Sequence, residues 1–479
     1  MAQGVVGVAE RVVKVAVIGG GIGGLTAAAT LAKRGVEVTL FEAQHQVGGK
    51  AHRIAHAGLL FDTGPTLLTM PAVINETFAA LDAQDLQPLL MPLQTQCEYR
   101  FADGARFVAD ASLERSMESA AHITPTEGEG LRRFYQQAEN IFHAAGEPYL
   151  SAPFVGMADY FRRLLAHGVR TTLRGAPLGT LSRLADQCFR SPHMQQFAGR
   201  FATYAGASPF EASAAFAMIA HIERAFGVYH PRGGMGALVR GLALAAERLG
   251  VEIRCQTRAL WRPYGAGYVV NDTFFDAVII NGDPLASDTK EPLALSGYVL
   301  LLAAEQRVSL PHHSVYFSND YRREFAALAA GQLAPNPSLY VCHAAATDGT
   351  MAPAGSSGLY LMINVPAMSE ETWASCADIA RGQCLDRLAQ MLPGVRVSVV
   401  GERTPVDLAA LGAPRGSIYG FVPRGIMGPF RRPRMHAGHR LYRAGGGTHP
   451  GGGVPLCMLS GRFAAAALLA DLGASVEAA

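Results

Sequence analysis

One segment near the amino end restricts the fold more than any other: "VVKVAVIGGGIGGLTAAATLAKRGVEVTLFEA", residues 12–43. Its first eight residues are mostly β-branched and end in glycine, the pattern of a strand buried on both faces of a parallel sheet. "GGGIGG" then opens an alanine-rich helix, and Gly19, Gly21 and Gly24 satisfy GxGxxG. In that motif the first glycine permits the tight turn, the second lets backbone approach a diphosphate, and the third lets the helix pack on the strand. The helix N-terminus faces the phosphate charge. "VEVTLFEA" supplies a second strand ending at Glu42, 18 positions after Gly24, close to the ~20 at which a carboxylate takes ribose hydroxyls. GxGxxG alone would describe many ordinary glycine turns. Strand, turn, helix, strand and acid in this order predict an α/β, Rossmann-like fold that binds a dinucleotide.

The next motif, "QVGGKAHR" from Gln46 to Arg53, brings a second glycine pair and two cations towards the same phosphates. Gly48, Gly49 and Lys50 resemble the GG-plus-basic motif of the flavoprotein superfamily that includes amine oxidases and carotenoid desaturases. That resemblance favours FAD over a nicotinamide cofactor.

Charge and cysteine usage narrow the partners. Lys plus Arg is 41 and Asp plus Glu is 39, so no global positive field gathers nucleic acid. The seven cysteines form no CxxC pair, which argues against a disulfide framework or a zinc site and for a reducing cytosol; no metal ligand is assigned. "LALSGYVLLLAA" falls short of the ~20 residues of a spanning helix, so the expectation is that the chain does not cross a membrane. Hydrophobic residues make up 49%, a bias that suits a greasy ligand.

Four further segments carry a more specific resemblance. "LLFDTGPTLLTMP" (59–71), "FGVYHPRGGMGAL" (226–238), "LYVCHAAATDGTMAPAG" (339–355) and "AGGGTHPGGGVPLCMLSGR" (444–462) resemble the phytoene desaturase family of bacterial carotenoid enzymes, over about residues 13–470. "GRFATYAGASP" and "HHSVYFSND" (312–320) resemble the branch acting on hydroxylated acyclic carotenoids, such as hydroxyneurosporene and 1-hydroxycarotenoid 3,4-desaturases. The resemblance implies that the late glycine loop closes the FAD site. Gly447 and Thr448 would offer amides to the diphosphate, Gly453 and Val454 would lie at the flavin edge, and the following helix would direct its dipole at the reduced ring. By the same resemblance Val251 would touch the adenine half through its backbone. His449 reads as a base or as a residue that only orders the loop.

Residues 1–105, 230–285 and 415–479 would then form one FAD domain from three segments. Residues 106–229 would be a helical substrate and membrane region, and 286–414 a mixed α+β substrate domain with a helix around 370–391. Within the helical part, Phe161, Leu164, Leu165 and Gly168 follow helical spacing among Arg162, Arg163, Arg170, Arg174 and Arg183. That pattern suits either a helix lying on an anionic membrane or a solvated helix face. The expected location is cytoplasmic, at the inner face of the cell membrane.

The expected reaction is insertion of C=C bonds into an acyclic, hydroxylated carotenoid by hydride transfer to flavin. No hydrolytic or metalloprotease motif is present, and the catalytic base is unassigned; Glu223 reads as a residue to test or as a structural salt bridge. Oxygen and a quinone both remain open as electron acceptors. Phytoene desaturation, another flavin oxidation of the amine oxidase fold, and a non-catalytic polyene carrier are the alternatives.

Overall fold

A computed structural model describes residues 12–168, 170–171, 175–285, 288–425 and 427–473. Two sheets organise the chain. The first has six strands in the order His436–Gly438, Leu441–Arg443, Ala277–Ile280, Lys14–Ile18, Glu37–Phe41, Glu252–Arg254. All pairings are parallel except the outermost, between His436–Gly438 and Leu441–Arg443. The period of two in "VAV" explains its place in the centre: Val15 and Val17 point into one apolar layer, and Ala16 into another with Phe41 and Phe275. The first layer is roofed by the helices Ile22–Ala32, Met235–Arg248 and Val454–Asp471, the second by a three-stranded sheet of residues 261–275.

Two of those helices touch backbone to backbone. A Cβ on Gly461 would stand 2.3 Å from the carbonyl oxygen of Gly23, and one on Gly24 would stand 2.0 Å from that of Gly19. Val454–Asp471 is long and apolar enough to cross a membrane by length and composition, and it is longer than the apolar stretch noticed in the sequence. Here it packs against Ile22–Ala32 in the core beneath the sheet, so its apolarity is that of a core helix.

The second sheet has seven strands in the order Ser398–Arg403, Ser296–Ala304, Ser357–Val365, Leu339–Cys342, His313–Tyr316, Thr95–Arg100, Arg106–Asp110. Its strands Thr95–Arg100 and Arg106–Asp110 fall at the expected boundary at 105, so the first cofactor segment ends sooner, near Gln94. The pairing partner of Thr95–Arg100 is His313–Tyr316, more than 200 positions on, and nothing local to residues 95–110 says which sheet they join. Helices follow from Leu113 to Phe226. The expected helix around 370–391 is two, Glu370–Ala374 and Ala377–Met391, with Ser369 capping the first through its hydroxyl.

Candidate cofactor and substrate site

The carboxyl ends of the parallel strands converge on the glycine turn. Gly19 takes φ +99, a region that side chains with Cβ disfavour, and its N–H donates to the Phe41 carbonyl at 2.8 Å. Helix Ile22–Ala32 then starts at Gly21 with no side-chain cap and no acidic residue in its first turn. The late helix Val454–Asp471 starts at Gly453 in the same uncapped state. Two helix N-termini without side-chain caps thus flank one cleft, and both favour negative charge. Space for it exists: a Cβ on Gly21 would meet only Asn281 Nδ2, at 3.0 Å, and one on Gly453 only Leu456 Cγ, at 3.9 Å.

Asn281, at the end of the Ala277–Ile280 strand, was not singled out in the sequence, yet it joins the early turn to the late loop. Its Nδ2 donates to the Gly19 carbonyl at 3.1 Å, and a Cβ on Gly445 would lie 2.5 Å from its Oδ1. The only sequence signal was its position, directly after a buried strand in "VIINGDP".

Glu42 is buried at the end of the second strand. Its two carboxylate oxygens accept the N–H groups of Gly20 at 2.7 Å and Gln44 at 2.8 Å, which leaves lone pairs for ribose hydroxyls. Gly49 closes on the first turn: Gly48 N–H donates to the Gly20 carbonyl at 2.8 Å, and a Cβ on Gly49 would be 3.4 Å from Gly21 Cα. Lys50 is half-buried and donates to the Ile418 carbonyl at 2.6 Å. Burial lowers its pKa, opposed by the nearby Asp283 carboxylate. A partly desolvated ammonium held mainly by a carbonyl is a site that an anionic group stabilises. Arg432, also missed in the sequence, donates to the Gly446 carbonyl at 3.1 Å from the other side of the loop.

The remaining expected site residues divide. Gly447 packs tightly, since a Cβ there would stand 2.4 Å from Pro284 Cδ, and the buried Thr448 donates its hydroxyl to the Pro433 carbonyl at 2.7 Å. Their side-chain positions shape the loop, and only their backbone is left for a ligand. Val454 opens the late helix with its side chain in the core. Val251 is not brought to the cleft. Parallel register puts Glu252 beside Thr39 and Arg254 beside Phe41, so Val251 lies at the opposite end of its strand, with its N–H donated to Ala246. Residues 254–257 instead line Glu42 and Gln44: Thr257 N–H donates to the Glu42 carbonyl and Gln256 N–H to that of Gln44, both at 2.8 Å.

His449 donates from Nε2 to the Ala152 carbonyl at 3.1 Å and stacks edge-on against Tyr149, with 4.5 Å between ring centroids. Burial drives its pKa down to about 4, so it is a neutral ring that orders the loop. Glu223 is buried with its carboxylate 3.6 Å from Arg200 and accepting the Tyr204 hydroxyl, an internal ion-pair network.

The arginine-rich helix is Met157–Ala166. Tyr160 and Leu164 face inward, while Phe161 (55% exposed), Leu165 (64%), and the flanking Val155 (66%) and Leu178 (76%) face solvent. Arg162, Arg170 and Arg183 are exposed. Arg163 instead folds back onto Asp159 at 3.0 Å and the carbonyls of Pro148 and Ala152, which removes it from the expected basic rim. Arg174 lies outside the described residues.

Comparison with known proteins places this geometry. The family model for flavin-containing amine oxidoreductases matches residues 22–469. A hydroxyneurosporene desaturase of Cereibacter sphaeroides is 34% identical over 97% of this chain and 99% of its own. A 1-hydroxycarotenoid 3,4-desaturase of Flavobacterium sp. is 28% identical over 94% and 98%. Among solved structures, wild-type putrescine oxidase superposes with TM-score 0.64 at 15% identity, covering 96% of this chain and all of that one. Cyclohexylamine oxidase of Brevibacterium oxydans gives 0.61 at 15%, covering 97% and all of it.

Proposed function

From its membership of the flavin-containing amine oxidoreductase family, which makes it an FAD-dependent oxidoreductase, we propose that this chain desaturates an acyclic, hydroxylated carotenoid at a membrane surface. The observation that carries the reading is the 34% identity, over nearly both full lengths, to a hydroxyneurosporene desaturase; the amine oxidases share the fold at 15%.

The residues fit FAD. The turn Gly19–Gly24 and its uncapped helix would hold the diphosphate and Glu42 the ribose, with Lys50 and Arg432 adding positive charge. Gly453 and the late helix N-terminus would lie towards the flavin. Bound FAD supplies a hydride acceptor at N5. Desaturation removes a hydride from one carbon of the substrate and a proton from its neighbour. Positive charge left on a polyene spreads along the conjugated chain, so a weak base or water suffices for the proton. The protein's work is then positioning. This accounts for a site in which His449 is neutral and Glu223 is bound up in an ion pair.

The substrate dissolves in lipid, and the exposed Phe161, Leu165, Val155 and Leu178 with Arg162, Arg170 and Arg183 suit an interface with an anionic leaflet. Oxygen or a quinone would serve as the electron acceptor.

Anaerobic addition of hydroxyneurosporene in liposomes should bleach the oxidised flavin band and give a product absorbing at longer wavelength. Bleaching by phytoene alone would move the assignment to phytoene desaturation, and bleaching by an amine alone to amine oxidation. No response to any polyene would remove the desaturase reading.

A further inference from the structure

A second site lies in the seven-stranded sheet. His313 stands opposite Cys342 in the antiparallel pair His313–Tyr316 and Leu339–Cys342, and His312 precedes it with its carbonyl accepting from His343 N–H at 2.8 Å. All three side chains are buried. One nitrogen from each imidazole and Cys342 Sγ lie within 4.8 Å of one another. His312 Nδ1 is hydrogen-bonded to Thr347 Oγ1 at 2.8 Å and His313 Nδ1 to the Tyr340 hydroxyl at 2.7 Å. Both Nε2 atoms are buried with no hydrogen-bond partner. Buried polar atoms are almost always paired, and a metal-binding imidazole is typically held through its second nitrogen by an oxygen partner. With each Nδ1 held by an oxygen partner, both Nε2 atoms are left to bind an ion.

We propose that His312, His313 and Cys342 form a site for a monovalent soft metal ion, copper(I). Two imidazoles and a thiolate are a donor set that copper favours, and three donors satisfy it, whereas structural zinc takes four. Among the described residues no fourth His, Cys, Asp or Glu ligand atom joins this group within 4.8 Å. Asp62 accepts from the N–H groups of Met235 and Gly236. Asp348 accepts from Gly233 N–H at 2.6 Å and is hydrogen-bonded to His230. Charge decides between ions. A monovalent ion on one thiolate is neutral, but a divalent one leaves a positive charge in a pocket whose three ligand side chains are buried. Burying unpaired charge is costly. Binding breaks the Cys342 S–H bond, forms S–Cu, and releases one proton to solvent without oxidation or reduction. The ion would pin two neighbouring strands of the sheet.

The test uses the full FAD-loaded protein, reduced and anaerobic, titrated with Cu⁺ against bathocuproine disulfonate. One ion per chain should be retained, with X-ray absorption showing two nitrogens and one sulfur. Thr347→Val, which removes the outer partner of His312, should weaken retention about tenfold. Cys342→Ser and His313→Gln should weaken it further, with FAD content and circular dichroism unchanged. Cys376→Ser, outside the cluster, should leave it unaltered. Failure to retain an ion, equal retention by Cys342→Ser and His313→Gln, or preference for Zn²⁺ over Cu⁺ would each overturn the proposal.

Discussion

Gly21 and Gly24 belong to one motif but have different jobs, and substitution separates them. A Cβ on Gly21 points into the cleft, where only Asn281 Nδ2 is near, and its φ of −69 suits any residue. Gly21→Val should therefore give folded, colourless protein, checked by circular dichroism beside the flavin absorbance. Gly24→Val forces a Cβ to 2.0 Å from the Gly19 carbonyl oxygen and should lose the fold itself, read as loss of soluble protein. His449 makes a pH prediction. Its folded pKa, about 4, lies below its unfolded value near 6.5. Between those values the unfolded chain binds the extra proton, so stability falls as pH drops from 6.5 to 4. On the order of 3 kcal/mol is at stake. His449→Gln should flatten that part of the curve, measured as urea midpoints at pH 4.5 and 7 for both proteins.

At the scale of elements, the contact between Ile22–Ala32 and Val454–Asp471 places the late glycine loop against the early one. Gly461→Val would put a Cβ 2.3 Å from the Gly23 carbonyl oxygen. Overpacking of this kind costs about 1–3 kcal/mol or more. Separation of the helices should weaken FAD as well as the fold, seen as a lower melting temperature and flavin lost on gel filtration. The Met157–Ala166 region makes a separate prediction. Near an anionic leaflet each basic residue contributes roughly 1 kcal/mol, so changing Arg162, Arg170 and Arg183 to glutamine should lower liposome partitioning by about a hundredfold. Arg163→Gln should instead act on stability, because that side chain is spent on Asp159 and three carbonyls. Co-flotation unchanged by salt and by the triple change would place the membrane contact elsewhere.

For the whole molecule, the FAD domain is stitched from distant segments, so the cofactor should stabilise it as a unit. Free FAD at about a hundred times its Kd adds roughly 2.7 kcal/mol, and its removal should lower the melting temperature accordingly. What the sequence determined is what local pattern encodes. Residues 12–43 carry strand, turn, helix, strand and acid within one continuous stretch, and the late "GGGTHPGGGV" announces bare backbone. Parallel strands buried on both faces, and turns that need glycine, follow from residue type and spacing alone. Val251 went astray because which end of a strand faces a cleft depends on its register with a neighbour, here Thr39 beside Glu252. For the same reason the expected boundary at 105 fell between two strands, Thr95–Arg100 and Arg106–Asp110, that pair with each other and join the seven-stranded sheet through His313–Tyr316. Asn281 gained its role only when folding brought Gly19 and Gly445 to either side of it, and Arg163 lost the one expected of it by reaching back to its own helix and the preceding loop. A cysteine reading keyed on CxxC spacing passed over Cys342, whose histidine neighbours are about thirty positions away in sequence and opposite it across a ladder. Spacing along the chain sets what an element can be; long-range pairing, whose partner no local pattern names, decides which elements meet.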